Sequence, residues 1–119
     1  MSGADLVTVC RQEDLPPGSW RIVPQGRWGI GVYNTGREFV AFVNRCPHEG
    51  APICLGRVTA TTRPAGPYQR AWVREGDILA CPWHGWEFDL STGESLSKPV
   101  RRLRRHRVSV VDGWITLEL

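Results

Sequence analysis

Short runs rich in Val, Ile and aromatic residues recur along the chain between polar and turn-forming stretches, and no window keeps the period of an amphipathic helix. LVTVC (6–10), WRIV (20–23), WGIGVYN (28–34), EFVAFVN (38–44), ILA (78–80), WEFDL (86–90), RVSVV (107–111) and WITLEL (114–119) have the length and residue content of strands. Turn signals fall between them at Pro16-Pro17-Gly18, Asn34-Thr35-Gly36, Ser91-Thr92-Gly93 and Asp112-Gly113, the last reading as a two-residue hairpin. Many short strands in a small chain predict an all-β fold, an antiparallel sandwich or a partly open barrel. Residues 57–70, RVTATTRPAGPYQR, break the pattern and read as a surface loop or an extended excursion.

Composition limits the size of what these strands enclose. A chain of 119 residues, 41% of them apolar and six of them tryptophan, buries one modest core, so residues 1–119 are expected to form a single domain. No run approaches the ~20 apolar residues of a membrane span, and MSGADLVTVC lacks the basic start and apolar stretch of a signal peptide. The expected compartment is therefore the cytoplasm. Thiols are normally reduced there, so four cysteines beside histidines point to metal before disulfides. The formal net charge of +3 is mild.

The chemistry concentrates in two loops. CPHEGAPICLG (46–56) sets Cys46 and His48 one residue apart, and CPWHGWEF (81–88) follows a strand with Cys81 and His84. Each half offers one thiolate and one imidazole, with proline behind the cysteine and glycine near the histidine. A single zinc ion bound by two Cys and two His usually draws each ligand pair from a C-x-x-C or wider spacing, and Cys46 and His48 are closer than that. A diiron cluster removes the difficulty, because ligands from one loop can go to different irons: both Cys to one, both His to the other.

Cys46-Pro47-His48 with Gly50-Ala51-Pro52, followed by Cys81-Pro82-Trp83-His84-Gly85-Trp86 with Phe88, Asp89 and Gly93, resembles the paired cluster loops of Rieske 2Fe-2S ferredoxins and of the Rieske domains of ring-hydroxylating oxygenases. The resemblance implies a Rieske-like antiparallel β fold with cluster-binding loops at about 45–56 and 81–88, and a 2Fe-2S cluster held by Cys46, His48, Cys81 and His84. It also implies a one-electron carrier that takes electrons from a flavoprotein or ferredoxin reductase and passes them to a terminal oxygenase, as a monomer that binds neither nucleic acid nor membrane. The alternative is a small subunit or redox-sensing module of a larger oxidoreductase. Zinc stays open as a third reading. The spacer 57–75 is longer than in compact members and lies outside what the resemblance covers. High-potential members carry an extra loop cysteine, a serine and a tyrosine; Trp83, Trp86 and Phe88 stand in those places here, which implies a low potential.

The remaining candidates have plainer readings. Cys54 and Cys10 read as small buried side chains, with a Cys10–Cys54 disulfide as the alternative that the compartment disfavours. His106 reads as an exposed strand residue, and Trp83 and Trp86 as a shield over the cluster or part of a docking face. KPVRRLRRHR (98–107) carries six cations without an acid. Its first reading is a solvated strand alternating around Leu103; its second, steering of an acidic partner. With only three histidines and no G-x-G-x-x-G, the chain offers neither a mononuclear iron triad nor a dinucleotide site, so it is not expected to be an enzyme by itself.

Overall fold

A computed structural model of the chain describes residues 5–47, 50, 52–66, 69–82, 86–96 and 102–119. Within these, the elements run β1 (Leu6–Arg11), a 3-10 turn (Gln12–Asp14), β2 (Trp20–Val23), β3 (Ile30–Asn34), β4 (Phe39–Val43), a 3-10 turn (Ile53–Leu55), β5 (Arg57–Gly66), β6 (Gln69–Ala80), β7 (Glu87–Asp89), β8 (Arg105–His106), β9 (Val108–Val111) and β10 (Trp114–Glu118). The expected all-β class holds. Every strand pairing is antiparallel, and the strands form open sheets ordered β1-β10-β9, β2-β3-β4-β8 and β5-β6-β7, none of which closes into a barrel. No helix among the described residues is long and apolar enough to cross a membrane. The packing divides into two compact units, Met1–Asn44 with Arg104–Leu119, and Arg45–Leu103.

The first unit holds two of the sheets around a shared core. Cys10, Leu15, Val23, Ile30, Val32, Ala41, Ile115 and Leu117 are buried together, with Val7, Val9, Phe39 and Val108 packed against them. Alternation along β1 turns Val7 and Val9 inward while Leu6 and Thr8 face solvent. A register shift between Thr8 and Cys10 then resets the phase, so that Cys10 also points inward opposite Ile115. Asp112 and Gly113 both have positive φ, 51° and 81°, as a two-residue turn closing Val111 onto Trp114 requires. Asn34 secures the Pro16-Pro17-Gly18 turn: its side-chain amide donates to the Leu15 carbonyl at 2.9 Å and its own carbonyl accepts from Gly18 N–H at 2.8 Å.

The second unit contains the main departure from expectation. Residues 57–66 and 69–70, read from sequence as part of a surface loop or an extended excursion, lie in β5 and β6, whose pairing runs from Arg57↔Ala80 to Gly66↔Gln69. Proline is tolerated there because β5 is an outer strand, bonded only to β6, and register shifts at Thr59/Thr61 and Pro64/Gly66 absorb the irregularity. The three-residue strand expected at 78–80 is the end of β6. Beyond β7, the Asp89 carboxylate accepts the N–H groups of Ser91 at 2.7 Å and Thr92 at 3.1 Å, fixing the Ser91-Thr92-Gly93 turn. Ile53, Ile78, Leu79, Phe88, Leu90 and Leu103 are fully buried in this unit.

Two smaller readings change. His106 is half-buried rather than exposed, because β8 pairs with β4 through Ala41↔His106 and the ring Nδ1 lies 3.1 Å from the Glu118 carbonyl. Cys10 and Cys54 are buried as expected, and neither is in a disulfide. The alternation expected around Leu103 holds, with Leu103 buried and Arg102 and Arg104 exposed, but the strand beyond it is only two residues long; Lys98 and Arg101 lie outside the described residues. Truncating Ile115 to Ala removes a fully buried side chain from the first core and is expected to cost about 2–5 kcal/mol in denaturant unfolding. Val110→Ala on the exposed strand β9 is expected to stay within about 0.5 kcal/mol.

Candidate metal centre

The first cysteine loop leaves β4 and folds back almost at once. Cys46 is fully buried, and its carbonyl accepts the Gly50 N–H at 2.8 Å. The chain then enters the Ile53–Leu55 turn, where Leu55 N–H donates to the Pro52 carbonyl and Gly56 N–H to the Ile53 carbonyl, both at 2.9 Å, burying Ile53 and Cys54. The second loop is the tip of the β6–β7 hairpin. Cys81 N–H donates to the Trp86 carbonyl at 2.8 Å, one rung beyond the Ala80↔Glu87 pair, and the cysteine itself is only 4% exposed. His48, His84 and Trp83 lie outside the described residues, so of the four ligands expected from sequence the structure places Cys46 and Cys81.

A backbone contact ties the exit of one loop to the root of the other. A Cβ on Gly56 would lie 2.0 Å from the Ala80 carbonyl oxygen and 3.0 Å from that of Ile53. Gly56 has φ −74° and ψ −175°, open to any residue, so the demand for glycine is purely one of space. Ala80 directly precedes Cys81, and Arg57, directly after Gly56, is its ladder partner. The exit of the Cys46 loop is thereby set against the residue that launches Cys81. Beside it opens a concave space of about 410 Å³ lined by Leu55, Gly56, Arg57, Ala80, Cys81 and Pro82. Sequence reasoning passed over both Gly56 and Arg57; an isolated glycine at the start of a β-branched run was the available signal of close backbone approach.

Cys46 and Cys81 are buried and neither is in a disulfide. A buried thiolate is costly without a compensating cation, and a metal supplies one. The two thiols sit on separate loops, each closed by a backbone hydrogen bond, and this arrangement fits a thiolate-bound centre better than two inert core cysteines. No group of three or more His, Cys, Asp or Glu gathers among the described residues, in which neither expected imidazole is included. An all-β scaffold that presents two such cysteines on separate hydrogen-bonded loops is the frame of a thiolate-ligated metal protein.

Comparison with known proteins is specific. The Rieske [2Fe-2S] domain family matches residues 5–107. Apoptosis-inducing factor 3 of Mus musculus is 38% identical over 112 residues, which are 92% of this chain and 16% of that protein; the chain thus spans about a sixth of this relative's length. Ferredoxin CarAc of Metapseudomonas resinovorans is 30% identical over 92 residues, 76% of this chain and 71% of that one. Among solved structures, a chain in the complex of reduced oxygenase and oxidised ferredoxin of carbazole 1,9a-dioxygenase superposes with a TM-score of 0.71 at 28% identity, covering 95% of this chain and 92% of that one. The chain belongs to the Rieske 2Fe-2S domain family, and its cofactor is a Rieske-type 2Fe-2S cluster.

Gly56→Ala is expected to lower iron and acid-labile sulfide per chain several-fold, because the added methyl displaces the Ala80 carbonyl next to Cys81. Gly26→Ala, at φ +73° with open space around it, is expected to cost about 1–2 kcal/mol in unfolding and to leave iron and sulfide content unchanged. Elemental analysis and the visible spectrum check both.

Proposed function

We propose that the chain is a one-electron carrier in which Cys46 and Cys81 bind one iron of the cluster and His48 and His84 the other. The observation that carries this reading is the pair of buried, non-disulfide cysteines on loops joined through Gly56. When bound, the cluster takes up and gives back one electron without bond rearrangement. The chain's own residues hold and shield that centre. The short hydrogen-bonded turns fix the two thiols, and Phe88, fully buried in the strand that follows the second loop, supplies apolar surface and no hydroxyl donor. A centre without hydroxyl donors favours its oxidised form, so the potential is expected toward the ~ −150 mV end of the Rieske range.

Residues 1–119 act on this reading as one Rieske domain, supported by a family match that runs through both compact units. The electron donor is a flavoprotein or ferredoxin reductase and the acceptor a terminal oxygenase, supported by the likeness to a ferredoxin and to a chain solved together with an oxygenase. The reaction chemistry then belongs to the partner. His106, the one histidine outside the ligand set, sits half-buried against the Glu118 carbonyl and cannot by itself complete a mononuclear iron triad. A cytoplasmic setting accords with four cysteines outside disulfides. The second reading, a Rieske module within a larger oxidoreductase, is favoured by the mouse relative, in which the matching segment is a small part of a longer protein.

Purified protein is expected to be red-brown and, on reduction, to give the rhombic EPR signal of a mixed-ligand cluster, with a negative midpoint by voltammetry; colourless, zinc-loaded protein would refute the assignment. Cys81→Ser and His84→Ala are each expected to lose the signal, while Cys10→Ala, in the core of the other unit, keeps it. Gel filtration of lysate separates a free carrier, which elutes small, from a module that co-elutes with a larger enzyme.

A further inference from the structure

We propose that the β8 edge of the Met1–Asn44 and Arg104–Leu119 unit is a docking surface for a carboxylate-rich face of a protein partner. The proposal rests on the electron-carrier reading, since such a carrier must find its partners by transient encounter. β8 is the outermost strand of its sheet. Arg104 and Arg105 are exposed, and neither has a carboxylate partner among the described residues. Arg107 is 82% exposed and reaches Glu118 only at 3.9 Å. Arg27 lies over the half-open Trp28 ring at 4.9 Å from its centroid. Arg104, Arg105 and Arg107 place positive charge in and beside β8, and Arg27 lines the same hollow as Arg104, in a molecule whose net charge is only +3.

The shape of the edge supports recognition beyond loose attraction. A concave space of about 300 Å³ is lined in part by Trp28, Ile30 and Val43 with Arg27 and Arg104. Another, of about 290 Å³, has Phe39 and Val40 with Arg105 and Arg107. Arginine beside aromatic and aliphatic surface is the composition of interface anchor sites. The backbone that carries them is tied down on both sides: Val43 N–H donates to the Arg104 carbonyl and Glu118 N–H to the Arg107 carbonyl, each at 2.9 Å. His106 Nδ1 donates to the Glu118 carbonyl at 3.1 Å between them. A ridge held this way loses little backbone freedom on docking.

The pattern of charge selects the class of partner. Glu38 and Glu118 line the same hollows as the arginines. A uniform polyanion such as a nucleic-acid backbone would meet those carboxylates along with the cations, and Trp28 is the one exposed aromatic among the lining residues rather than part of a stacking series. A protein face that alternates carboxylates with apolar side chains matches both features.

The test uses the cluster-loaded full chain, labelled with ¹⁵N and titrated with the hexapeptide Glu-Leu-Glu-Glu-Leu-Glu. Shifts are expected at the Trp28 indole N–H and at the amides of Arg104 to Arg107, weakening as salt rises from about 50 to about 500 mM. The double variant Arg104→Glu with Arg105→Glu is expected to weaken binding at least about tenfold. Arg21→Glu, a charge reversal at an exposed residue of β2, is expected to leave binding within about twofold. The visible spectrum and melting temperature of each variant report that fold and cluster are intact. Shifts spread equally over Arg21 and Arg57, no shifts at all, or displacement of the peptide by a single-stranded oligonucleotide of equal charge would each overturn the proposal. Wild-type protein that holds no reducible cluster would instead overturn the carrier reading, whereas absent peptide binding by reducible protein would overturn the docking surface alone.

Discussion

The approach of the Gly56 backbone to the Ala80 carbonyl is the constraint on which the candidate centre depends. There is no room for a side chain between them, so the segment leaving the Cys46 loop and the strand delivering Cys81 are held at a spacing set by main-chain atoms. Main chain is the least adjustable part of a fold, and a metal centre requires its ligands within fractions of an ångström. The 3-10 turn at Ile53–Leu55 shortens the path into this contact, and the Arg57↔Ala80 pair begins the ladder directly beyond it. Cys46 and Cys81 are 35 positions apart in sequence, yet the exit of one loop and the root of the other meet at the Arg57↔Ala80 end of the β5–β6 ladder.

Each loop is also internally closed. Gly50 N–H donates to the Cys46 carbonyl and Cys81 N–H to the Trp86 carbonyl. Ile53, Leu79 and Phe88, in the segments that flank these loops, are fully buried. Cys46 and Cys81 belong to one compact unit, and the arginine-lined β8 edge belongs to the other. Redox chemistry and the proposed recognition are therefore carried by different elements, so either can vary in sequence without rebuilding the other.

The strand pattern was legible because β1 alternates between part-buried and exposed positions, while β3, β4 and β10, buried at consecutive positions, appear as short runs of Val, Ile and aromatic residues between turn signals. WRIV (20–23) coincides with β2, and Asp112-Gly113 takes the two positive φ values that its turn type demands. The β5–β6 hairpin was not legible, because Pro64, Gly66 and Gly76 read as breakers, and the position of β5 at a sheet edge is what makes Pro64 acceptable. His106 looked exposed amid arginines for a related reason. Its burial comes from pairing with Ala41, a partner 65 positions away, and local sequence holds no record of that.

What the sequence determined by itself was the chemistry on offer: two thiols and two imidazoles in paired proline- and glycine-flanked loops, on a chain rich in short strands. Those properties are local, set by side-chain type and spacing. The tertiary structure decided which non-local surfaces meet. It made Gly56 obligatory by setting Ala80 against it, turned an irregular spacer into a long hairpin, and lined β8 with arginines beside Trp28 and Phe39. Close approach, edge position and charge juxtaposition depend on distances between residues far apart in the chain, and those distances exist only once the sheets have formed.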